Sequence, residues 1–153
     1  MIQMSFELIE RGGRKPAKPA YQTSGAAAFD LAAFLDAPLI IPASGRGLVP
    51  TGLKFAVPEG YAGLILARSG LASKYGVAMS NGVGLIDSDY RGEIHVALCN
   101  HGDVPFTIRD GDRVAQFLLM ETPRISLCLS MGLDGTPRGE CGFGSTGMGA
   151  KKC

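Results

Sequence analysis

Gly84-Leu85-Ile86-Asp87-Ser88-Asp89-Tyr90-Arg91-Gly92-Glu93-Ile94-His95-Val96-Ala97-Leu98 sets two carboxylates in a tight turn between apolar strands. From Glu93 the residues alternate polar and apolar, the pattern of a strand with one buried face. The same grammar runs outward in both directions. Turn signals stand at Arg11-Gly12-Gly13, Pro42-Ala43-Ser44-Gly45, Pro58-Glu59-Gly60, Asn100-His101-Gly102-Asp103 and Arg109-Asp110-Gly111-Asp112. Between them Leu39–Ile41, Gly52–Val57, Tyr61–Leu66 and Val114–Met120 read as short strands. Regular short strands separated by turns predict an all-β barrel or sandwich. Ser69–Tyr75 is the exception, a two-turn helix expected to be capped by Ser69 and stopped by Gly76.

The chain has 153 residues, of which 46% are apolar, enough for one domain with a real core. Its net charge of +1 is spread over both signs, so it lacks the basic excess of a nucleic-acid-coating protein. An anionic ligand must then be held by a few placed groups. The four cysteines, Cys99, Cys128, Cys141 and Cys153, form no C-x-x-C pair and read as reduced thiols of a cytoplasmic protein. The N-terminus has no basic segment and meets Glu7 and Glu10 early, so it does not read as a signal peptide. No apolar run approaches membrane-spanning length, and no membrane partner is expected. Residues 11–19, basic and proline-rich, read as a solvated loop. Residues 1–132 read as a single β domain. Residues 133–153 carry six glycines and one large apolar anchor, Phe143, and read as an arm that orders only against a foreign surface.

Three segments carry chemistry. A calcium-loop reading that begins at Asp87 fails, because Arg91 and Leu98 fall where oxygen ligands are required. What is left is a turn that uses aspartate, either structurally or as a base. Arg138-Gly139-Glu140-Cys141-Gly142-Phe143-Gly144-Ser145-Thr146-Gly147 contains a formal G-x-G-x-x-G, yet only six residues follow it, too few for the helix of a dinucleotide fold. Small residues with backbone N–H groups, the Ser145 and Thr146 hydroxyls and the Arg138 cation can instead form an anion nest, with Phe143 as a flat face for a base. Ala67-Arg68-Ser69-Gly70 is either a plain N-cap or a phosphate site. His95 and His101 stand at no zinc-ligand spacing from each other or from the cysteines.

In order along the chain, these segments resemble the homotrimeric dUTPases. Five motifs carry the resemblance: Ala27-Ala28-Phe29-Asp30-Leu31; Arg68-Ser69-Gly70-Leu71-Ala72; Asn81 through Gly84–Gly92; Gly111-Asp112-Arg113-Val114-Ala115-Gln116; and Arg138–Gly147. The chain departs from the family pattern at Ala28, Ala67 and Cys141, where the family usually has Gly, Pro and Gly. None of these removes a group that does chemistry.

The resemblance implies a jelly-roll-like distorted β-barrel with one short helix, assembled as a homotrimer that exchanges its C-terminal tail. Each site would draw the first, second and fourth motifs from one subunit, the third motif from another and the tail from the last. The implied reaction is hydrolysis of dUTP to dUMP and pyrophosphate by water attack on the α-phosphorus. It would supply dUMP for dTMP synthesis and keep uracil out of DNA. Asp87 would activate the water, with Mg²⁺ as cofactor, held mainly by substrate phosphates and water. Arg68, Ser69, Gly70 and Gln116 would bind phosphates, and Arg138, Gly144, Ser145 and Thr146 would close over them. Asn81, Leu85, Ile86 and His95 would read uracil, Tyr90 would exclude a 2′-hydroxyl, Phe143 would stack on the base, and Asp30 would support. A dCTP deaminase of the same fold is the rival enzyme, but it would carry a catalytic Glu where Ala97 stands. A non-catalytic nucleotide-binding β-trimer would be expected to lose Asp87, Tyr90 or Arg138, and all are present.

Overall fold

The alternation that begins at Glu93 becomes a strand whose faces differ: Val96, Leu98 and Asn100 are buried, whereas His95, Ala97 and Cys99 are not. The computed structural model describes residues 2–140. Among them lie strands β1 (Ser5–Leu8), β2 (Phe29–Ala32), β3 (Leu39–Ile41), β4 (Arg46–Pro50), β5 (Leu53–Ala56) and β6 (Tyr61–Ala67). Helix α1 (Ser69–Tyr75) follows, then β7 (Val77–Met79), β8 (Gly84–Ile86), β9 (His95–Asn100), β10 (Phe106–Ile108) and β11 (Arg113–Glu121). The strands form four antiparallel ladders, β2-β11-β6-β8, β4-β9-β7, β1-β5 and β10-β3. The architecture is the expected all-β, jelly-roll-like one, but the ladders do not close into a continuous barrel.

The core is aromatic at its centre. Phe29, Phe55 and Phe117, from β2, β5 and β11, meet with ring centroids 4.8–5.8 Å apart. Burying each such ring contributes about 1.5–3 kcal/mol. Gly63 makes room for them: a Cβ there would lie 2.3 Å from Phe117 Cζ, so any side chain would push β6 off β11. The buried Asn100 is fully used. It donates to the Ile41 and Val104 carbonyls (3.2 and 2.8 Å) and accepts from the Gly102 amide (2.9 Å), which fixes the turn after β9.

Two local expectations are corrected. Ser69 does not cap α1. Arg68 occupies the N-cap with extended backbone and no side-chain cap bond, so Ser69 is the first helical residue, while Gly76 ends the helix in the left-handed conformation as expected. Residues 11–19 are not simply solvated, since Pro16 is buried. Arg11 bonds the Phe34 carbonyl and Glu93, and Arg14 bonds Asp36, Asp110 and the Leu35 carbonyl. Basic side chains at a turn can tie it down when carboxylates from distant strands converge on it. Between β7, which pairs with β9, and β8, which pairs with β6, the chain crosses from one sheet to another at residues 80–83.

Candidate functional site

Two groups of the expected residues assemble at opposite ends of β6. At the first end, strand register does the work. Gln116 on β11 lies opposite Asp30 on β2 and Leu66 on β6, so the first and fourth motifs are neighbours, with Arg68 just beyond the end of β6. Asp30 is 9% exposed at its side chain and serves two cations: Arg68 Nε donates to Oδ1 (3.1 Å) and Arg113 Nη1 to Oδ2 (3.0 Å). Arg68 Nη1 also donates to the Arg113 carbonyl (2.9 Å). A carboxylate with both oxygens engaged by guanidinium groups fixes their direction and cannot move freely. Ser69 and Gly70 are exposed in the first turn of α1. Beside them a hollow of about 490 Å³ is lined by Arg68, Arg109 and Arg113 among others.

The other end is built by the loop from β8 to β9. Leu85, Ile86, Asp87, Tyr90, Glu93 and His95 line a cleft of about 200 Å³. Tyr90 Oη donates to the Glu93 carbonyl (3.0 Å), and the Tyr90 amide donates to the Asp87 carbonyl (3.2 Å), so the loop is tied across itself. Asp87 is exposed, and among the described residues its carboxylate has no hydrogen bond or ion pair. On its other flank lies a hollow of about 520 Å³ that also includes Asp89 and Arg124. Asn81 stands in the turn before β8, exposed, and does not line the cleft with His95.

One chain does not bring the two ends together. Ile86 pairs with Gly63, which sets Asp87 level with Ala62, six residues from Arg68 along β6. At a strand rise of about 3.3 Å per residue they are roughly 20 Å apart. Arg138 is exposed on the segment after β11. Phe143, Gly144, Ser145 and Thr146 lie outside the described residues.

The spacing and order of these residues match a known pattern. The family model described as dUTPase matches residues 15–147. The chain belongs to the dUTPase family. It is 50% identical over 139 residues to the deoxyuridine 5'-triphosphate nucleotidohydrolase of Desulfitobacterium hafniense (strain DSM 10664 / DCB-2), a match covering 90% of this chain and 92% of that one. The enzyme of the same name from Caulobacter vibrioides (strain NA1000 / CB15N) is 48% identical over 132 residues, with 85% of each chain covered. Among solved structures, the Staphylococcus bacteriophage 80alpha dUTPase with dUPNHPP superposes with a TM-score of 0.85 at 21% identity, over 96% of this chain and 99% of that one. A variant dUTPase from phage phi11 of S. aureus, whose structure concerns a structural Mg(II) ion, gives 0.74 at 19% identity, over 86% and 98%. At such identities the superpositions speak for the fold, while the bacterial relatives speak for the family. No helix among the described residues is long and apolar enough to cross a membrane.

Some residues at the two ends escaped the sequence reading. Arg113 sits inside the fourth motif, but only the β2-β11 register shows that it shares Asp30 with Arg68. Arg124 and Glu93 gave no signal: a lone charge after a strand and a polar residue at a strand start have no pattern to betray them. Arg11 hid in what read as solvated loop.

Proposed function

We propose that this chain hydrolyses dUTP to dUMP and pyrophosphate at sites assembled from different copies of itself. The observation that carries this is the division of the family's residues between the two ends of β6, one cationic and one holding an unpaired carboxylate. Neither end is complete alone, and a second copy can supply what the first lacks. The segment after β11 supports self-association. Ile125, Leu127, Leu129, Met131 and Leu133 alternate at the strand period, yet are 78–108% exposed. A row of bare apolar side chains of this kind is stable only when covered, and we assign the cover to a second copy in a homotrimer.

In this reading Asp87 takes a proton from the water that attacks the α-phosphorus, help that is worth about 10²–10⁴-fold. Its lack of a partner suits a base. Arg68, steered by Asp30, binds phosphate oxygens with Ser69, Gly70 and Gln116, and Arg113 adds charge to the same end. Uracil enters the cleft beside Leu85, Ile86 and His95, while Asn81, in the turn before β8, stands outside that lining. Tyr90 packs on the sugar and denies space to a 2′-hydroxyl, since a site rejects an added group best where it cannot relax. The arm after residue 132 closes the site with Arg138, Phe143, Gly144, Ser145 and Thr146, excluding water.

Mg²⁺ fits this donor set in one form. Among the described residues no three His, Cys, Asp or Glu side chains gather as a metal site. The ion would therefore be held by substrate phosphates and water. Asp30 reaches its water shell at most, because both its oxygens already serve arginines. When bound, the ion neutralises charge on the phosphate oxygens.

The test is a panel of dUTP, dTTP, dCTP and UTP with Mg²⁺ present, following pyrophosphate and ammonia. Pyrophosphate from dUTP well above the other three is the expected result. Ammonia from dCTP, or no pyrophosphate from dUTP, would overturn it.

A further inference from the structure

We infer that Glu93, held by Arg11, is a positioning residue that sets how strictly Tyr90 excludes ribose. The inference rests on the proposed role of Tyr90 at the sugar.

Tyr90 is 43% exposed and has little packing of its own to fix it. Two things hold it. Its ring lies over Gly92, where a Cβ would come 2.3 Å from Tyr90 Oη, so the ring can lie flat only above a residue without a side chain. Its hydroxyl donates to the Glu93 main-chain oxygen at 3.0 Å. His95 Nδ1 lies 3.1 Å from that same oxygen, so one carbonyl serves two side chains of the cleft. Wherever residue 93 goes, both follow.

Residue 93 is itself tied by its side chain. The Glu93 carboxylate is 14% exposed and lies at the edge of the cleft, 3.8 Å from His95 Nε2. Oε1 accepts from the Gly52 amide (2.8 Å) and Oε2 from Arg11 Nη2 (2.5 Å). Arg11 is braced in turn: Nη1 donates to the Phe34 carbonyl (3.1 Å) and its guanidinium stands 5.3 Å from the Phe34 ring centroid. The neighbouring Ile94 is bonded through its carbonyl to the Thr51 hydroxyl (2.7 Å) and through its amide to the Leu53 carbonyl (2.8 Å). The N-terminal turn, the corner between β4 and β5, and the sugar-facing tyrosine are thus joined through one glutamate. A charge-assisted, half-buried bridge of this kind holds position more firmly than exposed pairs do. A shift of about 1 Å at a reading group is enough to change rates by up to about 10²-fold.

The experiment measures kcat/KM for dUTP and for UTP in the full-length protein with Mg²⁺, for wild type, Glu93→Gln, Arg11→Met, Arg11→Lys and the Arg11→Met/Glu93→Gln double variant. The expected result is a fall of about ten-fold in the dUTP-to-UTP ratio in Glu93→Gln and Arg11→Met, mostly through a gain on UTP. The double variant should fall no further than either single one, because both break the same link. Arg11→Lys should recover part of the ratio. Should Glu93→Gln fail to fold, Arg11→Met reads the same link from its other side. A wild-type ratio in Arg11→Met, with only a lower Tm, would mean that the bridge is merely structural and would overturn the inference while leaving the proposed reaction intact. A wild-type protein that does not prefer dUTP over UTP would overturn both.

Discussion

Asp30 and Asp87 are the same residue type at the two ends of β6, and their surroundings make them opposites. Asp30 is nearly buried, with an arginine on each carboxylate oxygen. Asp87 is exposed and, among the described residues, binds nothing through its side chain. A carboxylate saturated with guanidinium groups is an anchor: it aims cations and accepts little more. A carboxylate left open can receive a proton. The difference teaches that chemistry here is assigned by the neighbours that strand register provides, not by residue type.

The contrast can be broken most severely at the open end. Asp87→Asn should lower turnover by about 10²–10⁴-fold while calorimetry shows a non-hydrolysable dUTP analogue bound as tightly as by the wild type. Near-normal pyrophosphate release would remove Asp87 from its role. Deleting residues 138–153 should leave an assembly with the same number of subunits in solution but cost at least about ten-fold in activity. A truncated chain that stays fast would mean that the arm is only a linker. Mixing sharpens the separation of the ends. Asp87→Asn and Arg68→Ala chains, each nearly inactive, should recover roughly a quarter of wild-type activity when unfolded and reassembled together, because random partners restore one intact pair of ends in four. No recovery would place both ends of a site in one chain. The smallest effect belongs to Ser69. Since its side chain caps nothing, Ser69→Ala should move stability by less than about 0.5 kcal/mol and show itself as a higher KM for dUTP. A large drop in Tm would contradict the observed helix start.

Much of the fold was legible because it rests on local pattern. The alternation at Glu93–Leu98, the apolar run Val114–Met120 and the Gly76 stop each gave an element of the right type in the right place. The errors were local too. Ser69 looked like a cap because Ser is a common one, yet the chain enters the helix one residue earlier. Residues 11–19 looked solvated because charge and proline usually mean that, and nothing nearby announces that Glu93, Asp36 and Asp110 wait across the fold. Of the site, the five motifs were visible as ordered words. Arg113, Glu93 and Arg11 were not, since each gains its meaning from a partner that the chain brings from far away, and Arg124 was not, being a lone charge that only the fold sets beside Asp87's hollow.

By itself the sequence determined an all-β chain, a short helix after β6, and which residue types the family's chemistry needs, because periodicity and turn chemistry act over a few residues at a time. The tertiary structure alone decided that Asp30 is caged and Asp87 open, that the Tyr90 hydroxyl bonds the main-chain oxygen of a glutamate whose side chain reaches Arg11 and Gly52, and that the cationic end and the open carboxylate sit about 20 Å apart. Those are facts of register and sheet order. They arise only when strands remote in the chain are laid side by side, so no stretch of sequence, however closely read, contains them.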